Sequence, residues 1–182
     1  MLDCSQIPKR KSLTIIGLGN ELLSDDGVGI RVLRALRARL PHDNVTFEEL
    51  SIGGLQLLDY ITGCERCMII DAVATNKHPP GTTYRFVQTA DSNPVTLTSS
   101  HQIDLAQVMT LATVMGGDLP RTLIVYGIEA GDLMTFHDGC TGEVSRAIPT
   151  LVETICRDVH NDGEAICAHA GEWQIIHNAL PV

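Results

Sequence analysis

The sequence predicts an α/β domain: a mostly parallel, twisted sheet of about five strands with helices on both faces. Three observations carry that expectation. Runs rich in β-branched and apolar residues alternate with segments of helical periodicity from about residue 12 to residue 159. The runs are apolar almost throughout, as parallel strands covered on both faces are. Turn residues punctuate the pattern without any repeat or low-complexity linker, so the 182 residues read as one domain. The tail 160–182 is mixed in character and is left outside the predicted core, as a segment expected to move.

The elements follow in chain order. KSLTIIGL (residues 11–18) is a buried strand ending in glycine. Ser24-Asp25-Asp26 offers N-cap chemistry to a first helix whose stripe, Val28, Ile30, Val32, Leu33, Leu36 and Leu40, has helical spacing and stops near Pro41. NVTFEEL (44–50) reads as a second strand, residues 55–61 as a short helix after Gly53-Gly54, and RCMIIDA (66–72) as a third strand. After the turn Pro79-Pro80-Gly81, TTYRFV (82–87) reads as a strand paired antiparallel. A polar stretch leads to Ser99-Ser100-His101-Gln102, a capping box with Ser99 at N-cap and Gln102 at N3. The helix behind it carries Leu105, Val108, Met109, Leu111 and Ala112 and stops at Gly116-Gly117. RTLIVYGI (121–128) is another buried strand, and residues 141–159 form a last helix that Pro149 is expected to kink.

Composition narrows the function. Thirteen basic against 22 acidic residues give a net charge of −9, which argues against nucleic acid and anionic membranes, whose affinity comes from Lys and Arg neutralising phosphates. With 44% apolar residues the chain can bury a sizeable core. No apolar run approaches the ~20 residues of a spanning helix, and the N-terminus has no secretory h-region, so a cytoplasmic location is expected. The six cysteines then read as reduced thiols. Cys64-x-x-Cys67 lacks the second pair that a zinc site needs.

Gly17-Leu18-Gly19-Asn20 sits between a strand and a helix, where a dinucleotide would bind. Leu22 stands where the fingerprint needs its third glycine, and Asp25 and Asp26 stand where a pyrophosphate would have to sit, so no nucleotide cofactor is expected. The tetrad also resembles the opening of peptidyl-tRNA hydrolases, but the likeness ends at Glu21. A different set emerges on the sheet. Asp26 follows the first strand, Asp71 ends the third, and His101 opens a helix, and in open α/β sheets ligands bind outside the carboxyl ends of strands. Two carboxylates and an imidazole suit a divalent transition metal with open positions. Each also has a plain structural reading: Asp26 satisfying helix amides, Asp71 capping a strand end, His101 a surface residue.

Four stretches in order, GLGNELLSDDGVGIRV (17–32), IIDAVATNKHPPGT (69–82), SSHQIDLAQVM (99–109) and LPRTLIVYGIEA (119–130), resemble the hydrogenase maturation proteases. The resemblance spans about residues 12–156. It implies an endopeptidase that removes the C-terminal extension of a [NiFe] hydrogenase large-subunit precursor after nickel insertion. By motif match, Asp26, Asp71 and His101 would contact nickel supplied by the precursor, so no resident metal is needed. Gly19, Asn20, Gly53 and Gly54 would contact the substrate, and a monomer is expected. Asp25 is a weaker candidate, as a general base, than as an acid at a helix N-terminus. No serine or cysteine nucleophile stands out. The alternative is a non-catalytic nickel-site sensor or assembly chaperone for the same precursor. The chain departs from the family's Asp-Gly-Gly element at Glu49-Leu50-Ser51, which implies a different class of large subunit.

Overall fold

The computed structural model describes residues 11–41, 43–51, 54–89, 105–160 and 170–177. Six strands form one sheet in the order β2-β1-β3-β5-β4-β6. β1 (Lys11–Leu18), β2 (Val45–Leu50), β3 (Cys64–Val73) and β5 (Thr122–Glu129) run parallel, and β4 (Thr83–Thr89) and β6 (Trp173–His177) add an antiparallel pair of ladders on one side. The expected parallel sheet and the antiparallel partner are both present. The central strands β1, β3 and β5 are buried nearly end to end, which is why their sequences are continuous apolar runs.

Helices cover both faces. α1 (Val28–Arg37) and α4 (Gly142–His160) pack on one, where Val32, Leu33 and Leu36 of α1 and Val144, Leu151 and Ile155 of α4 meet Ile15, Met68, Ile70 and Tyr126 of the strands. α2 (Leu58–Ile61) and α3 (Leu105–Val114) lie with the opposite core, where Ile61 and Val108 join Ile16, Leu18, Ile69, Phe86 and Val125. α1 approaches the sheet through a glycine. A Cβ on Gly29 would stand 2.3 Å from the Leu18 carbonyl oxygen and 2.4 Å from that of Ile70, closer than any side chain can sit. On the outer side of α1, Arg34 and Arg37 donate to Glu49 of β2, with Arg34 also bound to Glu21. The Arg34 hydrogen bonds hold the Glu49 carboxyl below its usual range.

The structure corrects two expectations. Ser24-Asp25-Asp26 does not cap α1: Ser24–Gly27 forms a 3-10 turn, and Gly27, the residue before α1, makes no side-chain capping bond. Asp25 has a stronger use across the chain. The tail also contributes β6, whose pairing with β4 brings the strand count to six rather than about five. Trp173, Gln174 and Ile175 form a short, mixed pattern that gives little periodicity in sequence and is defined by the strand beside it. The predicted capping box, with His101, lies outside the described residues, as does Gly53. Pro149 stands inside α4 as expected.

Candidate active site

The carboxyl ends of β1 and β3 lie side by side, with Gly17 opposite Ile70. From β1 the chain turns at once into the 3-10 segment. Gly19 has φ +149, and a Cβ there would lie 2.0 Å from the Asp26 carbonyl oxygen, so only glycine lets the turn fold onto itself. The Asn20 N–H donates to Asp26 Oδ2 at 3.0 Å, and Asn20 Oδ1 accepts from the Leu22 N–H at 3.1 Å. The GxGN sequence is therefore a device that sets the Asp26 carboxylate above the end of β1. Asp71 sits one residue past the Gly17–Ile70 pair on β3, and the 3-10 turn bearing Asp26 packs against that strand. Both carboxylates are buried, 6% and 2% exposed. Gly54 opens the 3-10 turn that leads into α2 after β2.

Asp25 points the other way and is fully buried. Its Oδ2 accepts from the N–H groups of Gly131 and Asp132 at 2.8 and 2.9 Å and from Thr141 Oγ1 at 3.0 Å, and its Oδ1 from the Thr141 N–H at 2.6 Å. Four donors on one carboxylate fasten the loop between β5 and α4. The same loop meets the GxGN turn through a bridge of Leu23 with His137, and Ser24, at φ +43, donates its N–H to the His137 carbonyl. An aspartate so engaged is a latch, which is the use that displaced helix capping.

At the end of β5, Glu129 is buried and accepts from Thr75 Oγ1 at 2.6 Å, Tyr84 Oη at 2.7 Å and the Asn76 N–H at 2.8 Å. Burial pushes the Tyr84 phenol up to about 12. This network sets the turn after β3. It was missed in sequence because Glu129 and Thr75 are 54 residues apart and only the β3–β5 pairing unites them. Cys140 lies near the Asp25 latch, and burial, helped by the Asp25 charge, raises its thiol to about 11. Among the described residues, no group of three His, Cys, Asp or Glu side chains could hold a metal ion, and no helix is long and apolar enough to cross a membrane. The Cys64 thiol donates to the Ile61 carbonyl, and Cys67, Cys140 and Cys156 are free thiols.

These features define an α/β protein of the strand-end type, with two buried carboxylates above neighbouring parallel strands and a latched loop beside them. A family model described as hydrogenase maturation protease matches residues 30–158, and the chain belongs to that family. The Hydrogenase 2 maturation protease of Escherichia coli (strain K12) is 31% identical over 160 residues, covering 85% of this chain and 94% of that one. The hydrogenase expression/formation protein HupD of Rhizobium leguminosarum bv. viciae is 28% identical over 165 residues, 88% of this chain and 80% of its own. The solved hydrogenase-maturating endopeptidase HybD of E. coli superposes with a TM-score of 0.72 at 27% identity, covering 84% of this chain and 94% of that one.

Proposed function

We propose that this protein is the endopeptidase that removes the C-terminal extension of a [NiFe] hydrogenase large-subunit precursor, and that it reads the nickel already bound in that precursor. The observation that carries the reading is the pair Asp26 and Asp71, buried at the ends of adjacent strands in a member of the maturation protease family. Oxygen donors of this kind, with the His101 imidazole, would complete an open nickel coordination sphere without displacing the soft thiolates that hold it. The precursor thus brings the metal, and the protease supplies a recess that only the loaded precursor fills. Nickel so held would polarise the scissile carbonyl or lower the pKa of a bound water. Water as nucleophile agrees with the remaining groups: Asp25 is fully engaged and Cys140 is a protonated thiol at neutral pH. Gly19, Asn20, Gly53 and Gly54 are the proposed substrate contacts along the same edge. The protease is expected to act as a cytoplasmic monomer, and Glu49-Leu50-Ser51 to suit a different class of large subunit.

The test is mass spectrometry of candidate precursors incubated with the protein, with and without inserted nickel. Loss of a C-terminal peptide only from the nickel-loaded form is expected. His101→Ala and Asp71→Asn should each abolish that loss. A stable complex without cleavage would instead mark a nickel-site sensor or assembly chaperone, and cleavage of nickel-free precursor would remove the metal from recognition.

A further inference from the structure

A single row of residues crosses the sheet at the level of Asp71. Asp71 of β3 pairs with Gly127 of β5, Gly127 with Tyr84 of β4, and Tyr84 with Ile175 of β6. Residues in register on neighbouring strands share a face, so Asp71 and Tyr84 are on the same side, two strand spacings or about 10 Å apart. Between them stands a residue with no side chain. At the far end of the row is a cavity of about 420 Å³.

One part of its wall is apolar: Val73, two residues beyond Asp71 on β3, with Tyr84, Trp173 and Ile175. Trp173 packs on Phe86 at 5.4 Å between ring centroids and edge-on to Tyr84 at 6.1 Å, so its ring is held in place, yet it remains 39% exposed and Ile175 46%. The Tyr84 hydroxyl is occupied by Glu129, leaving only its ring to face a ligand. The rest of the lining is polar, from Thr75, Lys77 and His78. Lys77 and His78 stand there on the turn that Glu129 organises through Thr75 and Asn76, and no carboxylate among the described residues pairs with the Lys77 ammonium. In a chain of net charge −9 an exposed lysine lining this cavity is a selective feature.

We infer that this cavity is a specificity subsite for the precursor's peptide, taking one large apolar side chain with an acidic group beside it. The inference rests on the endopeptidase reading above and deepens it. An extended peptide advances about 3.3–3.6 Å per residue, and Val73 of the cavity wall is two residues from Asp71 on β3, so a segment seated at the strand ends reaches the cavity within about three residues. The Val73 methyls and the Tyr84 ring close over Gly127 and form the floor of the cavity, the aromatic walls accept the apolar group, and Lys77 meets the adjacent carboxylate. Sequence specificity then comes from the turn after β3 and from β6, away from the groups that meet nickel.

Trp173 is the sole tryptophan, so its emission reports occupancy without any cleavage. The probes are acetyl-Gly-Gly-Leu-Glu-Gly-amide and two variants, one with Leu replaced by Gly and one with Glu replaced by Lys. The expected result is a saturable change in emission with the Leu-Glu peptide at a Kd at least tenfold below that of either variant. Lys77→Glu should invert the preference between Glu and Lys peptides. In precursor processing, Ile175→Ser should raise KM severalfold with kcat little changed. Equal response to all three peptides, or cleavage of the precursor with KM unmoved by both Lys77→Glu and Ile175→Ser, would overturn the subsite while leaving the endopeptidase intact. Selective binding of the Leu-Glu peptide by a protein that cleaves no precursor would keep the subsite and remove the endopeptidase.

Discussion

At the scale of single residues, two neighbouring aspartates do different work because their side chains leave the same turn in different directions. Asp26 accepts from the Asn20 N–H at the strand edge, whereas Asp25 takes four donors from the β5–α4 loop. Removing that carboxylate leaves buried N–H groups without an acceptor, at a cost of roughly 3 kcal/mol or more. Asp25→Ala should therefore lower the urea midpoint and speed hydrogen exchange at Gly131, Asp132 and Thr141. Unchanged exchange at those amides would show that the latch carries no load. Cys140 offers a pH test. Its thiol is raised to about 11, so the reactive thiolate is scarce at neutral pH and grows about tenfold per pH unit up to that value. Iodoacetamide at pH 7.5 should leave Cys140 and processing untouched; fast alkylation with loss of activity would make it a nucleophile. The places of Asp26 after the first strand and Asp71 at the end of the third were legible from the strand–turn–helix pattern, while His101, the third of that set, lies outside the described residues. The Asp25 latch was not, because its partners lie more than 100 residues away and are mostly backbone amides that any sequence would supply.

At the scale of elements, the packing of α1 on β1 and β3 decides where the GxGN turn stands. Gly29 is the contact point, and a methyl group there has two carbonyl oxygens within 2.4 Å. Since the obstacle is backbone of two strands, it cannot move aside as a side chain could. Gly29→Ala should cost about 3 kcal/mol, the upper range for overpacking a rigid core, and should reduce processing by displacing Asp26. A denaturation midpoint within error of the parent would contradict this. The strand and helix positions were largely readable, since β1 and the stripe of α1 carry unbroken periodic signals. The start of α1 was misread: an Asp-rich turn before an apolar stripe fits a capping pattern, and nothing local reveals that a distant loop will claim the carboxylate.

At the scale of the whole molecule, β6 joins the sheet beside β4 from beyond α4, with Trp173 against Tyr84 and Phe86. If the six strands form one cooperative unit, urea unfolding followed by Trp173 fluorescence and by far-UV circular dichroism should give coincident transitions. An earlier fluorescence midpoint would show β6 detaching as a separate unit. The sequence alone determined the α/β class, the parallel core, the family likeness and the two carboxylates at strand ends, because each is written in local periodicity or in a short motif. Only the tertiary structure decided that Asp25 is a latch, that Glu129 organises the turn after β3, and that the tail completes the sheet and a cavity across from Asp71. Those features depend on pairings between distant segments, and a side chain's partner there is set by strand register, which no local pattern specifies.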